Sequence, residues 1–501
     1  MDSISGLLLG FSTALQGGNI LFCVIGVSAG MLVGILPGLG PVTAIALLLP
    51  VTFRMEAIPA IIMLAGIYYG SMYGGTITSI LINVPGEAAS VVTCIDGHAM
   101  AKKGRAGTAL GVAAIGSFIG GTATVIGLSL LGPPLAKLAL GFGPQEFFAI
   151  MFLGMTMIMG LIGKSLIRGM LSAVLGLTLA MIGMDPMSGA LRFTFGEANL
   201  MEGLDFVVIA MGLFGISEVL LGYETISAGK HVERISKLLP ERDEWRPTMG
   251  AIGRGTFLGF LLGLIPGANA VIASVLSYSL EKKIAKDPSR FGKGAIEGVA
   301  GPETANNAFA GSAMIPLFTL GIPTSPTVAI LFGAFIMHGL TPGPALFNEN
   351  PTLVWAIIAS MYIGNAVLLV FNMPMARLWA KIAFIPERIL YPIIIAVAVV
   401  GAYSTSGSLW QVGAMLIAGI VGYFFKKVDI PLAPLLLTFV LGKLMENTFI
   451  QSMIYFGGNV LGFFARPISG TILILAFIVL AFSIISAWKG RRGSLGSDIE
   501  V

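Results

Sequence analysis

Charged residues are scarce in this chain. Only 11% of its 501 residues are Asp, Glu, Lys or Arg, whereas soluble domains carry roughly 25%. Hydrophobic residues make up 56%, and the alternating ten-residue segments typical of a membrane β-barrel are missing. This composition excludes an ordinary soluble domain and predicts an all-α polytopic membrane protein.

Cysteine and enzyme motifs are also nearly absent. The two cysteines, Cys23 and Cys94, lie in apolar stretches, so no disulfide framework is expected. The three histidines are isolated, and no HExxH, Walker or paired Cys–His pattern occurs. The net charge of +4 arises in short loops between apolar spans, which argues against a nucleic-acid partner. We therefore expect no enzyme and no cofactor, and no cleaved signal peptide because the first residues lack a basic region.

Glycine and proline, by contrast, are abundant, and they interrupt apolar runs. Residues 74–97 read GGTITSILINVPGEAASVVTCIDG. Within them Pro85 removes a backbone donor and Gly86 adds freedom, so a helix over 57–97 should break at Asn83 to Glu87. A break inside a bilayer is tolerated only within protein or beside a water-filled cavity. The pattern therefore predicts a broken helix that holds an ion or polar solute, with a packed helix kink as the alternative.

A second kind of interruption precedes the first. Residues 19–53 form two apolar arms joined by LPGLGP at 36–41. Each arm has about 16 residues, short of the roughly 20 that a crossing needs. We expect a re-entrant hairpin whose tip faces the site, and a tight turn at the membrane surface is the alternative.

Both interruptions recur in the second half. GFLLGLIPGAN at 259–269 repeats GMLVGILPGLG at 30–40, 229 positions later. Residues 311–327, which end in GIPTSPT, resemble residues 74–90 around the first break. Four plain crossings follow each pair of interruptions, at 107–131, 147–162, 169–184 and 206–222, and at 352–373, 389–405, 408–425 and 430–445. The predicted domains are an apolar segment 1–18, repeat 1 at 19–222, a cytoplasmic linker 223–249, repeat 2 at 250–445 with its hairpin at 250–280 and broken segment at 294–337, and a last crossing with a cytoplasmic tail at 446–501.

The distribution of charge predicts that the two repeats are inverted. The first hairpin is followed by Arg54 and Glu56, which give only a weak charge signal. Its counterpart is followed by five basic residues between 282 and 293. The first break is followed by Lys102, Lys103 and Arg105, whereas residues 338–350 after the second break contain no Lys or Arg. Because basic loops face the cytoplasm, this swap indicates opposite orientations of the halves and a cytoplasmic C-terminus.

The breaks and hairpin tips supply the candidate site. Helix N-termini suit a carboxylate, and carbonyl ends suit a small cation such as Na⁺. Two roles are possible for Glu87: an N-terminal helix cap, or a cation ligand or proton carrier. No Lys or Arg is evident in the deep segments. Predicted substrate-binding residues are Gly38, Gly40, Thr43, Ser79, Asn83, Gly86, Ala88, Asn269, Asn306, Asn307, Thr324, Ser325 and Thr327. Predicted coupling-ion residues are Asn83, Pro85, Glu87, Thr319, Gly321 and Pro323.

Three runs carry a family resemblance: GILPGLGPVTAIALLLP, GEAASVVTCIDGHAMAKKGRAG and GPETANNAFAGSAMIPLFTLGIPTSPTVAIL. From about residue 10 to 490 the chain resembles the large integral-membrane subunit of bacterial tripartite tricarboxylate transporters. The resemblance implies Na⁺- or proton-coupled uptake of a di- or tricarboxylate such as citrate across the inner membrane. It also implies an elevator-type carrier, a small membrane subunit and a periplasmic solute-binding protein.

Two rival functions follow from the residues themselves. The first is a passive channel or scaffold subunit, and the second is a membrane-embedded enzyme that modifies lipid. The second would need a clustered acid, base or metal set, which the separated histidines do not supply. The sequence leaves the oligomeric state open, a homo-oligomer included.

Overall fold

The computed structural model describes residues 2–36, 39–161, 165–185, 188–224, 237–373, 375–382 and 387–488. Within these ranges eight helices are long and apolar enough to cross a membrane. The prediction of an all-α polytopic membrane protein is confirmed. The small exception is a two-residue ribbon in which β1 (Gly183–Met184) pairs antiparallel with β2 (Leu191–Arg192).

Helices of the first half follow the apolar runs of the sequence. Their bounds are α1 Ser3–Ala14, α2 Gly17–Ile35, α3 Pro41–Leu48, α4 Ala57–Ile82, α5 Val91–Thr93, α6 Ala106–Ala139, α7 Pro144–Leu161, α8 Leu166–Ala180, α9 Phe206–Ala210 and α10 Ser217–Glu224. A π-helical stretch over Met211–Ile216 joins α9 to α10, so together they form one rod. Short 3₁₀ and π turns flank α5 from Ala88 to His98.

The second half continues with the same alternation of long and short helices. Its bounds are α11 Trp245–Gly263, α12 Ala270–Ile284, α13 Glu297–Ser312, α14 Met314–Leu320, α15 Pro326–Met337, α16 Leu346–Glu349, α17 Pro351–Asn372, α18 Ala376–Ile382, α19 Glu387–Ser406, α20 Leu409–Lys427, α21 Leu432–Tyr455, α22 Gly462–Ala465 and α23 Pro467–Trp488.

Several element bounds differ from those expected. Helix α2 has 19 residues, enough for a crossing, so the two arms of the first hairpin are unequal rather than both short. Helix α11 begins at Trp245, inside the expected linker, and α21 continues to Tyr455, ten residues beyond the expected end of the second repeat. The start of α11 and the end of α21 contain polar residues, so both helices extend beyond their apolar runs. Hydrophobicity alone therefore does not locate these helix ends.

Helices α2 and α4 pack backbone against backbone through glycine. A Cβ atom added at Gly26, Gly30 or Gly34 would lie 2.2–2.4 Å from the carbonyl oxygens of Met63, Ile67 and Ser71. The glycines recur every fourth residue and therefore occupy one helix face. Small residues let membrane helices approach closely, and van der Waals contact then replaces the missing hydrophobic driving force.

The same interface occurs between α11 and α13. A Cβ atom at Gly255, Gly259 or Gly263 would lie 2.3–2.7 Å from the carbonyl oxygens of Gly301, Ala305 and Phe309. These glycines follow those of α2 by 229 positions, and their partners follow those of α4 by 238. Both pairs bring a hairpin and a broken helix into rigid contact, which positions the hairpin tips beside the breaks.

We predict that Gly30→Leu destabilises the protein, because its side chain has no room against the Ile67 backbone. Overpacking of this kind costs about 1–3 kcal/mol, and more where backbone must move. The matched control is Gly18→Leu in the first turn of the same helix, where nothing lies within 4 Å. Thermal unfolding in detergent should show a clearly lower melting temperature for Gly30→Leu only. Equal melting temperatures of the two variants would contradict the glycine interface.

Candidate functional site

The first break is set by three residues in succession. Helix α4 ends at Ile82 because Asn83 adopts a left-handed conformation with φ of 56°, and the Val84 amide donates to the Thr78 carbonyl at 3.4 Å. Pro85 then has no amide to donate. Helical turns resume at Ala88, with Glu87 in the capping position. The Gly34 carbonyl oxygen would be 2.0 Å from a Cβ at Gly86, so only glycine fits between α2 and the break.

The second break repeats these steps. Helix α14 ends because Gly321 is left-handed with φ of 68°, and the Ile322 amide donates to the Pro316 carbonyl at 3.3 Å. Pro323 follows, and Ser325 caps α15 by accepting from the Val328 amide at 3.4 Å. Left-handed residue, proline and cap therefore stand at the same spacing in both breaks.

The hairpin tips end in helix caps as well. Gly40 caps α3, and Asn269 caps α12 through its Oδ1, which accepts from the Ile272 amide at 2.9 Å. The Gly267 amide donates to the Thr324 carbonyl at 3.0 Å, so the second tip is bonded directly to the second break. Pro37 and the predicted ligand Gly38 lie outside the described residues.

A cavity of about 490 Å³ lies where these four segments meet. The N-terminal residues of α3, α12, α15 and the helical turns after Glu87 all contribute to its wall. Free amides and the positive dipole ends of helices favour an anion in such a place. The predicted residues on the wall are Gly40, Thr43, Pro85, Gly86, Glu87, Ala88, Asn269, Ser325 and Thr327.

Other predicted residues lie away from the cavity wall. The Ser79 and Thr319 hydroxyls donate to carbonyls of their own helices, Gly75 at 2.8 Å and Ile315 at 2.7 Å. Asn83 is exposed and serves as the C-terminal cap of α4. Hydroxyl groups in helices readily bond the carbonyl one turn back, so their polarity alone does not identify a ligand.

The remaining predicted residues are buried and do not line the cavity. Gly321 supplies the left-handed turn, and Pro323 follows it without lining the cavity. Thr324, Asn306 and Asn307 are all buried. The side-chain oxygens of these three have no hydrogen-bond partner among the described residues. Buried oxygens without donors are the groups that a cation would use.

Two buried carboxylates lie beside these oxygens. Glu87 is 6% exposed and accepts from Asn306 Nδ2 at 2.6 Å. Glu303 lies inside α13 at 1% exposure and accepts from the Thr76 and Thr93 hydroxyls. Neither carboxylate forms a salt bridge with a described residue. A charge buried without a counter-ion is costly, so each group calls for a bound cation or a proton.

One charged pair on the wall was not anticipated. Lys426 at the end of α20 and Glu218 in α10 line the cavity and form a salt bridge with each other. Lys426 lies in the last turn of α20 and not in one of the deep segments, so the expectation that those segments lack Lys and Arg does not cover it. In the sequence Lys426 reads as part of a cytoplasmic loop, because only the packing of α20 on the α9–α10 rod brings it to the cavity.

Comparison with known proteins assigns the family. A family model described as "Tripartite tricarboxylate transporter TctA family" matches residues 20–437. The chain belongs to this family. It is also 46% identical, over 98% of each chain, to an uncharacterized 52.8 kDa protein in the TAR-I ttuC′ 3′ region of Agrobacterium vitis. A second Agrobacterium vitis protein, in the TAR-II ttuC′ 3′ region, is 45% identical over 47% of this chain and 97% of its own length.

No solved structure matches. The resemblance read from the sequence is thus confirmed, and this TctA-family chain is a multi-pass membrane subunit of a tripartite tricarboxylate transporter. The family is one of transporters rather than enzymes.

The TctA-family run GEAASVVTCIDG contains a buried aspartate, Asp96, whose structural role the sequence did not indicate. The Asp96 carboxylate is fully buried and accepts from the Tyr278 hydroxyl at 2.9 Å. It also accepts from the amides of Gly292, Gly294 and Ala295 at 2.6–2.9 Å. These bonds fix the segment that leads into α13, and α13 carries Glu303 and Asn306. Asp96 therefore positions the site from outside the cavity.

We predict that Asp96→Ala destabilises the TctA-family chain by about 3–5 kcal/mol. The substitution removes several charge-assisted hydrogen bonds and leaves buried amides without an acceptor. Asp287→Ala is the control, because that carboxylate is exposed and bonds only within its own turn at Ser289. Thermal unfolding should separate the two variants, and similar melting temperatures would contradict the positioning role.

Proposed function

We propose that this subunit carries a di- or tricarboxylate such as citrate through the bacterial inner membrane, coupled to Na⁺ or H⁺. The observation that carries the proposal is the convergence of four helical N-termini on one cavity between two broken segments. Unsatisfied amides at a helix start bind carboxylates without a dedicated basic residue. Transporters of several folds hold anionic substrates in this way near the middle of the membrane.

Coupling to a cation follows from the buried carboxylates. Glu87 lines the cavity and Glu303 lies in α13, one helical turn from Asn306, which donates to Glu87. A cation or proton that neutralises these groups would also offset the charge of an arriving anion. Anion and cation would then bind more tightly together than apart, which is the thermodynamic basis of symport.

The recurrence of packing supports an inverted-repeat carrier with an elevator motion. The second break repeats the left-handed residue, the proline and the helix cap of the first break 238 positions later. The carbonyl groups that face the glycines of α2 and α11 are also 238 positions apart. In the proposed orientation the C-terminus is cytoplasmic and the hairpins are re-entrant. Each hairpin and its broken helix, held together by glycine contacts, would move as one body with the cavity.

The proposed partners follow from the family rather than from the site. Tripartite systems are expected to contain a small membrane subunit and a periplasmic solute-binding protein that delivers the carboxylate. A homo-oligomer would be compatible with this arrangement. The alternatives, a passive channel or scaffold subunit and a lipid-modifying enzyme, predict no saturable counterflow of citrate.

We predict that labelled citrate enters proteoliposomes only under an inward Na⁺ or pH gradient. In Glu303→Gln, which keeps the shape of the side chain but cannot lose a proton, gradient-driven uptake should fall to the level without a gradient. Citrate exchange between the two sides should persist, because the cavity itself is unaltered. Glu349→Gln, on an exposed carboxylate of α16, is the control and should behave like the unaltered chain.

Uptake that is indifferent to both gradients would contradict cation coupling. The absence of counterflow in the unaltered protein would instead favour the channel or scaffold alternative.

A further inference from the structure

The salt bridge between Lys426 and Glu218 lies on the wall of the cavity. Lys426 is in the last turn of α20, and Glu218 is in the first turn of α10. Both residues line the cavity, and their side chains are 25% and 26% exposed. Each charge is therefore within reach of water and of a solute in the cavity.

An ordinary structural explanation exists for a lysine at this place. Basic residues at a helix C-terminus complement the helix dipole and anchor the helix at the membrane surface. The next residue, Lys427, meets that description: it pairs with Glu224 and lies 5.2 Å from the centre of the Tyr423 ring. Neither Lys427 nor Glu224 lines the cavity. The anchoring role is thus already filled by the neighbouring pair.

Lys426 differs from its neighbour in the charges around it. Among the described residues that line the cavity it is the one basic side chain, and Glu87 and Glu218 are the acidic ones. A substrate with two or three negative charges would be repelled by Glu218 unless Lys426 remained between them or turned towards the substrate. A flexible four-carbon stem and three rotatable donors permit either arrangement.

We propose that Lys426 is a carboxylate-binding residue of the transport cavity and that Glu218 is the counter-ion which the substrate displaces. This inference rests on the proposed function and names one more residue of that site. In the empty cavity the Glu218 carboxylate occupies the position that a substrate carboxylate takes on binding. One ion pair is exchanged for another, so no lone charge is left on the lysine at any stage.

The arrangement also selects for substrates with more than one carboxylate. One carboxylate meets the helix N-termini at the breaks and tips, and a second meets Lys426 on the wall formed by α20. A monocarboxylate can satisfy only one of these positions. Removal of Lys426 should therefore affect citrate more strongly than acetate.

The test compares two partners of one salt bridge, because the proposal predicts opposite effects for them. Binding of radiolabelled citrate is measured on the full chain in lipid nanodiscs at fixed Na⁺ concentration. Lys426→Gln should weaken binding at least about tenfold, the value of a lost charge-assisted hydrogen bond. Glu218→Gln should tighten it by about threefold, because a weak, partly exposed competitor is removed.

Controls and contrary outcomes separate the inference from the proposed function. Lys427→Gln and Glu224→Gln break the neighbouring bridge and should leave citrate affinity unchanged. Weaker binding in both Lys426→Gln and Glu218→Gln would show a merely structural bridge and overturn the inference alone. Failure of the unaltered chain to bind any of a panel of di- and tricarboxylates would overturn the carboxylate assignment together with the inference. Should Lys426→Gln fail to fold, unchanged or weaker binding in Glu218→Gln suffices to overturn it.

Discussion

Peptide groups that leave a helix inside a membrane must find partners other than water, and this constraint governs the structure. Two helices break here, at Asn83 and Gly321. The first break packs closely against α2 at Gly86, and the second is buried within the protein. Enclosure depends on close helix contact, which the glycine faces of α2 and α11 provide. The helical turns that resume after both breaks line a single cavity. The packing and the proposed binding chemistry thus both depend on the same irregular backbone.

The two halves share a backbone design but differ in the charges they contribute. Glu87 and Ser325 occupy corresponding cap positions, one with a carboxylate and the other with a hydroxyl. Glu303 in α13 corresponds to Ala65 in α4, and both positions are buried. Helix dipoles from both halves can bind an anion. A cation needs carboxylates, of which the first half supplies Glu87 and the second half supplies Glu303. In the proposed function, this asymmetry would be the physical basis for binding an anion and a cation together.

Local chemistry made part of this structure predictable. Proline and glycine at Pro85 and Gly321 indicated where helices end, and apolar runs indicated most crossings. Long-range contacts could not be read in the same way. Glu303 is buried in α13 beside Thr76 and Thr93, which lie more than 200 positions away in the sequence. Lys426 reaches the cavity only through the packing of α20, and Asp96 acts through amides about 200 positions away. The Ser79 hydroxyl donates to a carbonyl of its own helix, which the sequence pattern did not indicate, and its binding role stays a prediction. The binding roles of the remaining site residues stay predictions.

A structure of the protein with citrate and Na⁺ bound is the most direct test of the central claim. The account predicts carboxylate oxygens within about 3 Å of backbone amides at the helical starts after Glu87 and Ser325, with the ligand lying between both breaks and both hairpin tips. Density for citrate elsewhere, or against only one half of the chain, would contradict the claim that the two broken helices form one carboxylate site.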